Sequence, residues 1–379
     1  MSKYQIINTD EKVEENIIFF GKKSKYIRID QISHEVAKTL KENSEGNTWF
    51  TKEIDMKQDK TRFDQLPEEA KRAFKLNIAY QTLMDSGVTS GISEVLLKCV
   101  SSSIWDILYR RIMIEETIHS ESYSYGLSEV FGSDATAILD LVYDDKIVQK
   151  RMDVEKAIFK SLHDLQDLDD IPYDDPVTMN EYRKLLLQLL IGIYCLEGIK
   201  FPFSFLVTFT INDKYDNAIP GFTRTIQLIA HDELNTHVPT TRHLFAIFRE
   251  EEIQGFKSLF DSGYFRNELD RIIKITVDSE IEWAKYLLQE GEIRSLSLET
   301  CEYFIKWRAN FMYQIIGLND NPYKNFNSNS TIDFFENYRA INKHNAALQE
   351  TDNTSYSKGQ IKVDWDKFDQ KNKGEVIKE

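Results

Sequence analysis

The chain is poor in the residues that break or bridge secondary structure. Its 379 residues include only 15 glycines, 7 prolines and 3 cysteines. All-β folds and long linkers need frequent turns, so a low content of glycine and proline argues against both. Cys99, Cys195 and Cys301 are far apart and show no CxxC spacing, which argues against a disulfide framework or a zinc knuckle. A reducing, cytoplasmic location is therefore expected.

Charge and hydropathy exclude two classes of partner. A net charge of −15 is unsuited to nucleic acid, whose binding rests mainly on Lys and Arg. The first residues contain no apolar run typical of a signal peptide. Residues 185–211 are nearly long and apolar enough to span a bilayer, but Glu197 and Lys200 lie near their middle, and a charged centre is costly in lipid. We therefore predict a helix buried in protein, with no nucleic-acid or membrane partner.

Helical periodicity dominates what remains. It predicts long helices over roughly 66–86, 103–131, 146–168, 180–210, 221–250, 267–290 and 297–317. The composition becomes polar after Leu318, and residues 351–379 hold too few aliphatic side chains to offset the entropy of ordering. We therefore predict a helical domain with an N-terminal arm over residues 1–318, and a polar, flexible C-terminal region over residues 319–379.

Four of the predicted helices carry a carboxylate in the middle of an apolar face, where steps of three and four residues recur. Such faces hold no Lys or Arg here, and an unpaired buried carboxylate must protonate or find a cation. Four acids and two imidazoles suit two first-row metal ions such as iron or manganese. This is the known pattern of ferritin-like di-metal bundles, in which two helices give one acid each and two give Glu-x-x-His. The candidate ligands, helix by helix, are Asp85, Glu116 with His119, Glu197, and Glu233 with His237.

The last of these faces is one residue too long for a Glu-x-x-His motif. An i to i+4 step still keeps Glu233 and His237 on one side of a regular helix. A single inserted residue is commonly absorbed as a π-bulge, and Pro239, which has no N–H, loosens the hydrogen-bond ladder nearby. We therefore predict a π-type or broken turn within about 233–239, with His237 as the second imidazole. The alternatives are His231 and His243.

Several strings resemble the small, radical-generating (beta) subunit of class I ribonucleotide reductase. They are YQTLMDS around Asp85, EETIHSESY ending at Tyr123, LEGIKFPFSF around Glu197 and IAHDE ending at Glu233. The resemblance covers residues 16–318, with a second patch at 349–361. It implies an all-α, ferritin-like bundle with a di-metal carboxylate site in its core, assembled as a homodimer. It departs from the family at His231, where Arg is usual, and in the last residues of the chain.

The resemblance also implies roles for individual residues. Asp85, Glu116 and His119 would bind one metal ion, and Glu197, Glu233 and His237 the other. Iron is the first expectation, with manganese or a mixed Mn/Fe pair as alternatives and O₂ as the oxidant. Tyr123 would carry the radical in a pocket lined by three apolar side chains. The lining residues would be Phe201, Phe205 and Ile229. The residues of the electron-transfer route would be Trp49, Asp232, Glu350 and Tyr356.

The function implied is that of the radical-generating subunit of ribonucleoside-diphosphate reductase. The radical would pass to a large catalytic subunit, docked through the C-terminal tail, which reduces ribonucleotides to deoxyribonucleotides. Two alternatives use the same fold: a di-iron oxygenase or oxidase that acts on an organic substrate, and a ferroxidase or iron-storage protein. Neither explains Tyr123, Trp49 and Tyr356 together, and fold alone does not separate the three functions.

Overall fold

The computed structural model describes residues 15–21, 27–164 and 175–340, without the side chains of 161–164. Within these ranges the chain forms helices and two isolated β-bridges, with no strand. The prediction of an all-α fold is confirmed. The longer helices are α1 (Glu35–Gly46), α2 (Glu68–Gly91), α3 (Ser103–Phe131), α4 (Asp153–Asp164), α5 (Pro176–Cys195), α6 (Phe201–Lys214), α7 (Pro220–Asp232), α8 (Val238–Glu250), α9 (Tyr264–Leu287), α10 (Leu298–Gln314) and α11 (Ser330–Arg339).

Short helical pieces complete the described chain. Three of them are π-helical turns, which follow α2, join α5 to α6, and join α7 to α8. The π turns cover Ile92–Leu96, Leu196–Lys200 and Glu233–His237, and the short α-helices cover Lys57–Arg62, Leu97–Cys99, Ala135–Leu139, Leu141–Asp144, Lys146–Arg151 and Lys257–Asp261.

Most predicted helices are present, and their ends follow local chemistry. The predicted bounds of α3 are those observed, and its end is followed by Gly132 with φ of 56°, a left-handed conformation that suits glycine. Helix α5 begins earlier than predicted, because Pro176 occupies its first position and the Asp175 side chain accepts from the Val177 N–H. The helix predicted over 146–168 is divided in two, and α1 was not predicted.

The apolar run predicted to be a buried helix lies at the centre of the protein. It belongs to a 39-residue helical segment, Pro176–Lys214, in which 94% of the most apolar window is buried. This is the one segment of the described chain that is long and apolar enough to cross a membrane, and its burial is that of a core helix. Helix α6 packs against α2 and α7, and α3 packs against both of those helices. These four helices surround the candidate site.

Part of the region predicted to be polar and flexible packs against the bundle. Helix α11 buries Ile332 and Phe335, and the Phe335 ring lies 6.0 Å from that of Phe209 in α6. Gln227 donates a hydrogen bond to the Tyr338 carbonyl at 2.6 Å. The polar composition after Leu318 therefore includes an amphipathic helix, and packing against the bundle continues to Tyr338. Residues 341–379 lie outside the described part of the chain.

Candidate metal centre

The six predicted ligands meet in the core of the bundle. Their ligand atoms form two groups, and within each group these atoms lie no more than 4.8 Å apart. All six residues are buried, with at most 3% of any residue exposed. Glu116 belongs to both groups and is therefore placed to bridge them. The first group is Asp85, Glu116, His119 and Glu233, and the second is Glu116, Glu197 and His237.

The atoms that face each other have no hydrogen-bond partners within the described chain. This holds for both oxygens of all four carboxylates and for Nδ1 of both imidazoles. The Nδ1 atom of His119 is 3.5 Å from an oxygen of Glu116, and that of His237 is 3.2 Å from the other oxygen of Glu116. Buried polar groups without partners are rare in native proteins. A mixed set of oxygen and nitrogen donors that all point inward fits two first-row metal ions.

Electrostatics also point to a cation between these groups. Burial, and then the neighbouring Glu116 carboxylate, raises the pKa of Asp85. Burial and Glu197 raise the pKa of Glu233 well above its usual range. Burial opposes ionisation of Glu116 as well, but contacts with His119 and His237 hold its pKa at about 2. Without added positive charge the four acids cannot all ionise, and bound metal ions would remove that conflict.

The carboxylate of Asp232 contacts both His119, at the ring nitrogen that faces away from the other candidate ligands, and the indole of Trp49. An oxygen of Asp232 lies 3.2 Å from His119 Nε2 and accepts from the Trp49 indole N–H at 2.8 Å. The Trp49 and His119 rings are stacked, with centroids 6.1 Å apart. Burial would lower the pKa of His119, but hydrogen bonding to Asp232 and contact with Glu116 raise it to about 10. Trp49, Asp232 and His119 thus form a continuous hydrogen-bonded chain.

The predicted π turn after α7 is confirmed. The Val238 N–H donates to the Glu233 carbonyl, five residues back, and the π-helical residues are Glu233–His237. One turn later the Thr240 hydroxyl donates to the Thr236 carbonyl at 2.7 Å. The extra residue is therefore absorbed locally, and His237 stays in the cluster. In the described chain the alternatives His231 and His243 belong to neither ligand group.

A second π turn, not predicted, carries Glu197. The Phe201 N–H donates to the Leu196 carbonyl across Leu196–Lys200. Pro202 cannot donate to the Gly198 carbonyl four residues back, and that carbonyl instead accepts from Arg308 Nε at 2.7 Å. The sequence offered a signal for this turn. Pro202 cannot donate to the Gly198 carbonyl, just as Pro239 cannot donate to the Asn235 carbonyl in the other π turn.

Buried ion pairs fix the end of this turn. The Lys200 Nζ lies 2.7 Å from a Glu155 oxygen and donates to the Arg151 carbonyl at 2.8 Å. Arg151 in turn pairs with Glu280 at 2.6 Å. Charged pairs of this kind, removed from water, hold their elements in one arrangement because losing either partner leaves a buried charge.

Tyr123 lies one turn beyond His119 on α3 and is fully buried. Its hydroxyl accepts a long hydrogen bond, 3.4 Å, from the Gln81 amide. Burial raises the pKa of Tyr123 well above its ordinary value, and the carboxylates of Asp85 and Glu233 add to that effect. The phenol is therefore neutral.

The remaining predicted residues divide into buried and undescribed positions. The three predicted lining residues are fully buried, and the Phe201 and Phe205 rings stack at 6.1 Å. The role of Phe201, Phe205 and Ile229 as the lining of a pocket around Tyr123 stays a prediction. Glu350 and Tyr356 lie outside the described residues.

Sequence reasoning missed Glu115, which touches the second imidazole. One Glu115 oxygen lies 3.1 Å from His237 Nε2, and the other accepts from the Ser44 hydroxyl at 2.5 Å. A signal was present in the sequence, because an acid directly precedes a candidate ligand glutamate in two places: Glu115 before Glu116, and Asp232 before Glu233.

Known proteins show the same family over most of the chain. The family model "Ribonucleotide reductase, small chain" matches residues 27–329. The ribonucleoside-diphosphate reductase subunit beta of Buchnera aphidicola (Baizongia pistaciae) is 27% identical over 91% of this chain and 92% of its own length. Subunit beta of reductase 1 from Salmonella typhimurium is 26% identical over 94% and 95%.

Solved structures support the fold. The R2 subunit from Clostridium botulinum gives a TM-score of 0.75 at 20% identity, covering 90% of this chain and 99% of that one. The dimanganese(II) NrdF of Streptococcus sanguinis gives 0.64 at 18% identity, covering 83% and 99%. Together with the family match and the buried carboxylate–histidine cluster, these findings show that the chain belongs to the small-chain family of ribonucleotide reductase, the radical-generating subunit of an oxidoreductase.

Proposed function

We propose that this subunit uses a two-metal centre and O₂ to oxidise Tyr123, and that the oxidising equivalent then passes to a large catalytic subunit that reduces ribonucleoside diphosphates. Asp85, Glu116 and His119 would hold one ion. Glu197, Glu233 and His237 would hold the other, with Glu116 placed between them. The Glu233 carboxylate also falls in the first group of ligand atoms, 3.8 Å from His119 Nδ1, so it would lie close to both ions. Once bound, the ions would supply the one-electron oxidising power, drawn from O₂, that a phenol requires.

Iron is the metal we expect first, because carboxylate and imidazole ligands suit it. The same donors accept manganese or a mixed Mn/Fe pair, and a structural relative from Streptococcus sanguinis is a dimanganese(II) protein. Metal analysis of protein expressed with each ion supplied alone, followed by activity measurement, identifies the ion that supports turnover.

The surroundings of Tyr123 suit a stored radical. The phenol keeps its proton in the resting protein, because its burial strongly disfavours the phenolate. Its oxidation therefore requires an electron and a proton to leave together. Full burial of the ring then keeps water and solutes away from the radical.

The observation that carries the proposal is the chain formed by His119, Asp232 and Trp49. A storage protein or an oxygenase needs ligands for metal, but it has no need of an indole hydrogen-bonded to the acid behind a metal imidazole. Asp232 fixes the imidazole orientation and at the same time fixes the Trp49 ring. Trp49 is buried, but Thr48 and Phe50 on either side of it are exposed, so the hydrogen-bonded chain leads from the candidate metal centre to a stretch of the surface.

Fe(II) and O₂ added to metal-free protein test the proposal directly. We expect a sharp tyrosyl absorption and an organic-radical EPR signal. Tyr123→Phe should abolish both while two metal ions remain bound. Tyr109→Phe is a matched control, because Tyr109 is also a buried tyrosine of α3, and that variant should keep the radical. An undiminished radical in Tyr123→Phe would overturn the assignment.

The proposed partners are a second copy of the chain and the large subunit. The latter would dock on the C-terminal tail, with Glu350 and Tyr356 passing the oxidising equivalent. The resemblance at 349–361 supports this role, and we place the complex in the cytoplasm. Deleting residues 351–379 should leave the Tyr123 radical intact and remove reductase activity from the mixed complex. Tyr356→Phe should remove activity with little loss of binding, and full turnover by the truncated protein would contradict the proposal.

A further inference from the structure

The outer nitrogen of His237 meets a buried acid, as that of His119 does. The Nε2 atom of His237 is 3.1 Å from Glu115 Oε2, and both residues are only 3% exposed. A carboxylate accepts hydrogen bonds, so Glu115 is placed to accept from Nε2. Nδ1 is then the nitrogen left to bind a metal ion, and it faces Glu116 at 3.2 Å and Glu197 at 3.8 Å.

Glu115 is itself held from the other side. Its second oxygen accepts from Ser44 at the end of α1 and lies 3.6 Å from an Arg111 nitrogen. Arg111 also donates to the Ser44 hydroxyl at 2.8 Å and to the Thr48 hydroxyl at 2.6 Å. The orientation of Glu115 on this side is therefore fixed by a hydroxyl on α1 and a guanidinium on α3, and Thr48 in the loop after α1 holds that guanidinium in place.

We propose that Glu115 is a positioning residue for the second metal ion, acting through His237; this inference rests on the proposed two-metal centre. The extra residue of the π turn explains the need for it. An irregular turn presents its side chains less rigidly than a regular helix, and an acid behind the imidazole restores a fixed ring orientation. Removal of such a partner typically weakens metal binding by about 10–100-fold.

The test is a titration of metal-free protein with Mn(II), with free Mn(II) counted by EPR. Wild-type protein should bind two ions. Glu115→Ala should bind one ion as wild type does and the second about 10–100-fold more weakly. Glu115→Gln keeps an acceptor oxygen without the charge and should lose less. Glu121→Ala is the matched control, an exposed glutamate of the same helix, and should leave both affinities unchanged.

Two further measurements separate positioning from a merely structural role. Nitrogen couplings to bound Mn(II) should report two imidazoles in wild type and a weakened or missing second coupling in Glu115→Ala. Ser44→Ala leaves the acid in place and should weaken the second ion by a smaller factor, which provides a test even if Glu115→Ala does not fold. Wild-type affinity for the second ion in both variants would overturn the inference. Failure of wild type to take up two ions would instead overturn the proposed two-metal centre, and this inference with it.

Discussion

The two halves of the metal centre use different helix geometry to present their ligands. Asp85, Glu116 and His119 come from the uninterrupted helices α2 and α3. Glu197, Glu233 and His237 come from π turns. A regular helix positions its side chains by hydrogen bonds that every turn repeats. A π turn leaves backbone groups without their usual partners, and surrounding side chains must supply them.

The halves also differ in the partners of the acid that contacts each imidazole. The acid behind His119 is shared with an indole, whereas the acid behind His237 is shared with a hydroxyl and a guanidinium. Tryptophan can be oxidised at accessible potentials, and serine and arginine cannot. The two sides, similar in ligand chemistry, are therefore suited to different tasks: the side that holds Trp49 is suited to electron transfer, and the side that holds Ser44 and Arg111 is suited only to positioning its imidazole.

Trp49→Phe should have the largest effect, because it removes the oxidisable ring and keeps most of the apolar volume. We expect reductase activity of the mixed complex to fall to background, while two metal ions bind and the Tyr123 radical still forms. Activity with the large subunit and EPR of the isolated subunit are the two measurements. Phe50→Leu, at an exposed position next in sequence, is the control and should retain activity. Substantial turnover by Trp49→Phe would remove the functional difference between the halves.

Asp232→Ala should weaken binding of the metal ion held by His119, whereas Glu115→Ala should weaken binding of the ion held by His237. Asp232→Ala leaves Nε2 of His119 and the Trp49 indole N–H without their acceptor. We expect the ion held by His119 to bind about 10–100-fold more weakly, measured by Mn(II) titration. Activity should fall further than the metal loss explains, because the route through Trp49 is also broken. If Asp232→Ala and Glu115→Ala had the same effect on metal binding and on activity, the two sides would not be distinct.

Arg308→Met should have the smallest effect and tests the dependence of the π turn on outside support. Methionine keeps much of the side-chain volume but cannot donate to the Gly198 carbonyl. A buried acceptor left without a partner costs about 1–3 kcal/mol, which should appear as a lower free energy of unfolding in urea. Arg271→Met, at an exposed site paired with Glu268, should change stability by less than about 1 kcal/mol. An equal loss in both variants would show that the turn does not need Arg308.

The convergence of the six candidate ligands could be predicted because each interrupts an apolar face with helical spacing. The π turn at Glu233–His237 could be predicted from one inserted residue and Pro239. The acid before Glu116 was visible in the sequence, but its contact was not, because neighbouring residues on a helix point about 100° apart. Glu115 meets His237 only because α7 packs beside α3 and the π turn after α7 lies against it. Helix α1, which supplies Ser44, was not predicted. The π turn at Ile92–Leu96 has no proline after it, and we find no sequence signal for it.

The end of α1 and the residues directly after it contact Glu115 and Asp232, the two acids behind the imidazoles, within a short stretch of chain. Ser44 donates to Glu115, and Trp49 donates to Asp232. A coupling free energy is reciprocal. If the position of this segment changes the affinity of either imidazole for its metal ion, then binding of that ion must stabilise this position of the segment by the same free energy. Metal binding in the core would therefore also stabilise the position of the Trp49 indole, so that the residue proposed to transfer the electron becomes ordered as the metal centre is completed.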